Sequence, residues 1–366
     1  MTGSNGVILD GSFGEGGGQI LRTALSLSVV TGTPFFIEKI RAGRERPGLL
    51  RQHLAAVLAA AEIGDAEVEG AYAGSTQLSF KPTTIKPGTY NFSVGTAGSG
   101  TLVLQTILPA LMTASGPSHI TIQGGTHNQA APPFDFLAKT FLPQIERMGP
   151  KVQIRLEKYG FYPAGGGRFV VDIYPCQTLV AINLDERGTT AKPSANAIVA
   201  NLPRKIAQRE IDTVAALLDL NLVGSGGQLQ IMETKNSPGP GNVVMIEVAS
   251  SALVEVFTSF GRMGVSAEKV GADAAAQVTA YLASEGAVCE HLADQLLLPM
   301  AIGGGGSFTT GTVTEHARTN MHVIAKFLRT SFRVEENANQ SRIIVGEPRS
   351  QELLAVNATL LEGGKH

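Results

Sequence analysis

The feature that most restricts how this chain can fold is its self-similarity. Residues 7–82 read as a strand (VILDGS), a glycine-rich turn, an apolar helix from Gln19 to Val30, a strand (PFFIEKI), a basic turn, a second helix from Pro47 to Ile63, and two strands. Residues 91–175 run through the same order: strand NFSVG, turn TAGSG, helix Thr101 to Thr113, strand SHITIQ, turn GGTHNQAAP, helix Phe134 to Met148, strands KVQIRLEKYG and GRFVVDIYP. A third copy closes the sequence with helix LADQLLLPMAI, strand SFTTG, a helix from Glu315 to Leu328, and strands SFRVEE and SRIIVGE. One such unit, two helices over one face of a four-stranded sheet, cannot bury its apolar faces alone and must pack against its siblings. The fold expected is therefore α/β (α+β), with three tandem repeats of that unit. The alignment sets three turns, RAGRERPG, GGTHNQAAP and GTVTEHAR, at one equivalent place, before the second helix of each copy.

The third copy is interrupted. Its opening strand, about LVAINLDE, is followed by some hundred residues before the first helix resumes near Glu290. The intervening segment has its own pattern: strand NAIVANL, helix Pro203 to Leu218, strands QLQIMET, NVVMIEV and LVEVFTSFG, and helix Ala267 to Ser284, with SPGPG at 237–241 as a turn between strands. These elements suffice for a small α/β domain of thioredoxin-like size inserted in a loop. The expected division is a core of residues 1–185 plus 287–366 and an inserted domain of residues 186–286.

Composition narrows the partners. A net charge of −2 excludes a strong nonspecific grip on long nucleic acid, so any such contact must be local. No run reaches eighteen apolar residues and no secretory h-region opens the chain, which reads as cytosolic, without a membrane partner. Cys176 and Cys289, the two cysteines, have no metal-ligand spacing and fit a reducing compartment.

Three local constellations carry chemistry. GEGGGQ at 14–19 follows a strand and opens a helix, but its spacing is not GxGxxG, and no GxxxxGK[ST] occurs anywhere. What remains is physical: the backbone amides of Gly16 to Gly18 at a helix start can approach a phosphate closely. Glu15 within that loop is a candidate for a metal or a sugar hydroxyl, or is an acid favoured by the helix dipole. Next, KIRAGRERPGLLRQHL concentrates Lys39, Arg41, Arg44, Arg46 and Arg51, and guanidinium forks there match phosphate oxygens, with Arg22 adding to the patch; a solvated turn balanced by Glu38 and Glu45 is the alternative. Third, TVTEHARTNMHVIAKFL sets His316 just inside a helix whose N-cap is Thr314 and whose apolar face is Val323, Ile324, Phe327 and Leu328. Backbone amides there attract anions and disfavour an imidazolium, a setting for a histidine that attacks a phosphate. Its alternative is a polar histidine that meets only water. Among the other histidines, His322 reads as a helix-face residue and His53 as structural; His127 shares the repeat position of His316's turn, and His119 and His366 have no case.

Taken together, LDGSFGEGGGQILRTALSLS, IRAGRERPGLLRQHL, GTAGSGTLVLQTILPAL, GFYPAGGG, LADQLLLPMA and the TEHARTN segment resemble, in order along nearly the whole chain, successive blocks of the RNA 3′-terminal phosphate cyclase family. The resemblance implies three tandem αβ repeats with a smaller domain inserted in the third. It also implies an ATP-dependent ligase, acting on an RNA 3′ end and needing no DNA, that forms a 2′,3′-cyclic phosphodiester through a histidine–AMP intermediate with a divalent metal (Mg2+ or Mn2+). On that resemblance His316 is the nucleophile and Glu15 meets the metal or the ATP ribose. Gln105 and Pro132 contact the nucleotide, as do His291, Leu292, Ala293, Asp294 and Gln295, while Arg22, Arg41 and Arg44 hold phosphates. Where many relatives have tyrosine before LADQ this chain has His291, which offers adenine a smaller stacking surface. Two other functions are compatible with the repeated unit: a ribosome-assembly protein resembling the family but without the histidine, and an enolpyruvyl transferase.

Overall fold

A computed structural model of the chain describes residues 6–220 and 228–346; His366 and the last residue of SRIIVGE, Glu347, lie outside the described residues. The first copy comprises β1 (Val7–Asp10), α1 (Gln19–Thr31), β2 (Phe35–Glu38), α2 (Arg51–Gly64), β3 (Glu67–Glu69) and β4 (Leu78–Lys81). The second comprises β5 (Thr89–Ser93), α3 (Gly100–Leu111), β6 (Ser118–Gly124), a composite helix of α4 (Phe134–Phe136), a π-helical turn (Leu137–Phe141) and α5 (Leu142–Arg147), then β7 (Lys151–Lys158) and β8 (Gly167–Tyr174). β9 (Ile182–Leu184) opens the third, followed by β10 (Ser194–Ala200), α6 (Arg204–Leu217), β11 (Leu229–Thr234), β12 (Gly241–Ala249), β13 (Val254–Phe260) and α7 (Ala267–Ala283). The third copy then resumes with α8 (Glu290–Ile302), β14 (Gly306–Thr310), α9 (Glu315–Phe327), β15 (Phe332–Glu336) and β16 (Ser341–Val345).

Three sheets share one topology. Their orders are β1-β2-β4-β3, β5-β6-β8-β7 and β9-β14-β16-β15. In each, the first two strands are parallel and the remaining pairs antiparallel. A parallel pair needs a crossover, and α1, α3 and α8 supply it. The fourth sheet, β11-β10-β12-β13, is built between β9 and α8 and has α6 and α7 packed on it. Among the described residues no helix is long and apolar enough to cross a membrane.

α1 holds the repeats together. It packs against α2, α3 and α9, and ten of its residues, from Ile20 to Val30, are buried. A helix apolar on nearly every side belongs at the centre of a core. Gly32, left-handed at φ 67°, ends it.

Two predicted helices differ from those observed. α2 begins at Arg51 and not Pro47, because the N–H groups of Gly48 and Leu49 are already bonded to the carbonyls of Ile40 and Ser75, at 2.8 and 2.9 Å, and Leu50 is extended. The helix expected as one run from Phe134 contains the π turn over Leu137–Phe141. Pro143, immediately beyond it, has no N–H to give the carbonyl one α-helical turn back, so the ladder is already broken there.

Candidate active site

The three equivalent turns meet. A cleft of about 800 Å³ is lined by Arg41 and Arg44 from the first, Gln129 to Pro132 from the second, and Thr314 and His316 from the third. The first turns of all six repeat helices reach the same space, through Gln19, Gln52, Leu102, Pro133, His291 and His316 and their neighbours. Helix N-termini carry unpaired N–H groups and partial positive charge, so six of them around one cleft favour a polyanion. Gly18, the N-cap of α1, offers no side chain to cap that helix, whose first amides remain for a ligand. The rest of the lining includes residues of the fourth sheet, α7 and the turn between them, among them Phe260, Arg262 and Gln277.

His316 is the second residue of α9, with Thr314 Oγ1 accepting the Ala317 N–H at 3.2 Å. Its side chain is 56% exposed. Nδ1 lies 2.8 Å from Gln19 Oε1 and makes a close ion-pair contact with the Glu15 carboxylate. Both are acceptors, so Nδ1 carries a proton and in the neutral ring the lone pair is on Nε2. Gln19 is itself oriented: its Nε2 donates to Asp294 Oδ1 at 2.6 Å. Asn320 Nδ2 donates to the Asp294 carbonyl at 3.0 Å and to Oδ1 at 3.2 Å, and Thr23 Oγ1 donates to Asn320 Oδ1 at 2.8 Å. A relay of polar side chains thus links α1, α8 and α9 beneath the imidazole. Burial pushes the Asp294 carboxyl up, against the pull of Gln19, His316, Arg22 and Asn320. Burial likewise draws Arg22 down to about 10, with Asp294 opposing.

Residues 13–334 match the RNA 3′-terminal phosphate cyclase family. The chain belongs to that family. Proteins named RNA 3′-terminal phosphate cyclase from Koribacter versatilis (strain Ellin345) and Ralstonia nicotianae (strain ATCC BAA-1114 / GMI1000) are 58% and 50% identical to it, over 93% and 92% of this chain and 95% and 96% of theirs. One from Salmonella agona (strain SL483) is 45% identical over 94% of this chain and 98% of its own. The enolpyruvyl transferase NikO from Streptomyces tendae aligns at a TM-score of 0.37 and 11% identity over 94% of this chain and 49% of that one, too slight a likeness to bear on function.

Of the residues singled out by resemblance to the cyclase family, Glu15, Arg22, Arg41, Arg44, Gln105, Pro132, His291, Asp294, Gln295 and His316 all line the one cleft. Leu292 and Ala293 do not: 0% and 2% exposed, they face the core from α8, since successive helical residues point to different sides. Arg41 lines the cleft but is bound to its own turn, Nη1 donating to the carbonyls of Arg46 at 2.6 Å and Gly48 at 2.9 Å. Burial lowers its pKa. Its place is as a brace for the basic turn, whereas Arg44 reaches the Glu15 carboxylate directly. Gln105 donates to Gln295, joining α3 to α8, and the Pro132 carbonyl accepts from Thr101 Oγ1 at 2.7 Å.

The other histidines separate cleanly. His127 does not line the cleft; it is 1% exposed, bonded to Thr126 Oγ1 and Asp135 Oδ2, and packed beside Tyr159 and Phe161. His53 accepts the Leu50 N–H at 3.2 Å, and burial, with Arg22 and Arg41 close by, drops it to about 3, so it stays a neutral acceptor. His119 pairs with Asp172 across the sheet, and His322 stacks on Phe13.

Sequence reasoning missed Gln19, Thr23 and Asn320. Gln19 and Asn320 stand inside the quoted blocks GEGGGQ and TEHARTN, but an amide gains meaning only through its partners, which lie 275 and 297 positions away for Gln19 and 297 away for Asn320 with Thr23.

Proposed function

We propose that the chain uses ATP to convert an RNA 3′-terminal phosphate into a 2′,3′-cyclic phosphodiester, with His316 as the nucleophile. The observation that carries the reading is the pair of acceptors at Nδ1: with Gln19 and Glu15 engaging it, the neutral ring holds its lone pair on Nε2, in a cleft ringed by helix N-termini. Nε2 attacks the α-phosphorus of ATP; a P–N bond forms, the bond to pyrophosphate breaks, and AMP stays on the protein. An oxygen of the RNA 3′-phosphate then takes the adenylyl group, breaking P–N and returning the lone pair to Nε2. The adjacent 2′-hydroxyl closes on the activated phosphorus and AMP leaves. A phosphate dianion is a poor electrophile until capped, and covalent catalysis divides one difficult step into easier ones.

Residue roles follow the geometry. Arg22 and Arg44, with the amides at the start of α1, receive phosphate oxygens. Gln105, Pro132, His291 and Gln295 form the nucleotide side, and Arg41 braces the turn. Among the described residues no group of three or more His, Cys, Asp or Glu side chains can hold a metal. Glu15 is the carboxylate that contacts His316, so a Mg2+ or Mn2+ there fits only with phosphate oxygens and water as its other ligands. When bound, such an ion supplies charge neutralisation on the phosphates. Two free cysteines suit a reducing compartment, and we assign the reaction to the cytoplasm, with residues 186–286 as a domain inserted in a core of 1–185 plus 287–366.

Incubation with α-labelled ATP tests the reading. The wild type should acquire an acid-labile, hydroxylamine-resistant AMP adduct that RNA bearing a 3′-phosphate discharges, and His316→Ala should not. Equal labelling of both proteins would remove His316 from the mechanism. A wild type that binds RNA or protein but never labels would make this a non-catalytic relative.

A further inference from the structure

Part of the lining of the cleft comes from the fourth sheet, and nothing in the chemistry above uses it. β13 is the edge strand of that sheet, and it delivers Thr258, Ser259 and Phe260 to the cleft. The turn that follows delivers Arg262. That turn is closed: the Gly261 N–H bonds the Asn242 carbonyl and the Val265 N–H the Arg262 carbonyl, both at 3.1 Å, with Gly264 left-handed at φ 81°. Met263, beside Arg262, is 101% exposed at the rim.

Charge distinguishes this arginine. Arg44 is paired with Glu15, Arg41 with its own turn, and Arg22 is buried beside Asp294. Arg262 is exposed and, among the described residues, has no side-chain hydrogen bond or ion pair. Asp273, the other charged group of this part of the lining, is neutralised by Lys269. One unspent guanidinium beside a half-buried aromatic ring and two hydroxyls suits a phosphodiester with its flanking base and ribose, more than a dense triphosphate.

Resting on the cyclase reading, we propose that Phe260 and Arg262 hold the strand immediately upstream of the RNA end: the ring stacks on a base and the guanidinium grips the last internucleotide phosphate. The site suits single-stranded RNA, whose unstacked bases leave a face open to the ring. A protein of net charge −2 thereby places its RNA through one local contact rather than a basic surface.

The test is steady-state and half-reaction kinetics of Arg262→Glu, Arg262→Lys and Phe260→Leu against wild type. Arg262→Glu should raise the KM for a 3′-phosphorylated oligonucleotide by about tenfold or more, Phe260→Leu by several-fold, and Arg262→Lys the least, while loading of AMP from ATP alone changes less than twofold. The dependence of log KM on log salt should flatten by about 0.7 in Arg262→Glu, the value for one phosphate contact on a single strand. With a mononucleoside 3′-phosphate, which lacks the internucleotide phosphate, the difference from wild type should vanish. An unchanged KM and salt slope overturns the proposal, as does slower loading, which would assign Arg262 to the triphosphate, or a defect that persists with the mononucleotide. A wild type that never loads AMP overturns the cyclase reading first and this one with it.

Discussion

Gln19 settles two neighbours with one amide: its oxygen accepts a hydrogen bond from His316 Nδ1 and its nitrogen donates one to Asp294. Gln19→Ala should slow AMP loading by about tenfold with little change in ATP affinity, because partners that orient a reactive imidazole typically contribute 10–100-fold and Glu15 remains as a second acceptor. Rapid-quench measurement of adduct formation checks this; an unchanged rate would detach Gln19 from the chemistry. A different residue-scale effect belongs to Glu210, fully buried on α6 with Asn242 Nδ2 donating to it at 2.9 Å. Burial raises its carboxyl from 4.5 to about 7. The folded state therefore holds this proton more tightly than the unfolded one, and stability falls as pH rises from about 4.5 to about 7, by up to about 3 kcal/mol. Glu210→Gln, which keeps an oxygen for Asn242, should stabilise the protein at pH 8 by roughly 2 kcal/mol and change little at pH 4.5. Urea titrations at the two pH values decide it.

Among the elements, α8 depends on a side chain from outside its own repeat. Glu255 of β13, 0% exposed, accepts the N–H of Cys289, the N-cap of α8, at 2.6 Å. Burial raises that carboxyl to about 7 as well. α8 carries His291, Asp294 and Gln295 to the cleft, so the fourth sheet anchors this part of its lining by the end of the helix. Glu255→Ala leaves a buried N–H without an acceptor and should cost about 1–3 kcal/mol. It should also raise the KM for ATP several-fold, while Glu255→Gln, which retains an acceptor, restores most of both. Were the KM to hold steady in the alanine variant, α8 would be positioned by its core face alone.

At the scale of the whole molecule, one arginine joins the two ends of the segment that runs between β9 and α8. Arg187, just after β9, donates through Nη2 to the carbonyls of Tyr281 and Ser284 at 2.7 and 2.9 Å and through Nε to that of Gly286 at 3.0 Å. Its guanidinium lies 3.8 Å from the centre of the Tyr281 ring. Arg187→Ala removes several charge-assisted bonds and should cost about 2 kcal/mol or more. Calorimetry should then resolve two transitions where the wild type shows one, as that segment melts apart from the rest; Arg187→Lys should rescue little, having no planar fork. A single transition in the alanine variant would mean that the contacts of β13 with α4 and the π turn hold the two together without it.

The sequence by itself determined the fold class, the order of the elements, the cap of α9 at Thr314 and the family, because periodicity, capping and ordered blocks are properties of neighbours along the chain. It also marked His316 and Arg44 as residues whose chemistry suits phosphate, and Glu15 as one that suits a metal or a sugar hydroxyl. Only the tertiary structure decided that three turns and six helix starts share one cleft, that Arg41 turns inward and that Leu292 and Ala293 face the core. The same holds for the tautomer of His316, which is set by acceptors 297 and 301 positions distant in the chain. The physical reason is common to all of these: burial and hydrogen bonding join groups whose separation in sequence carries no trace of their separation in space.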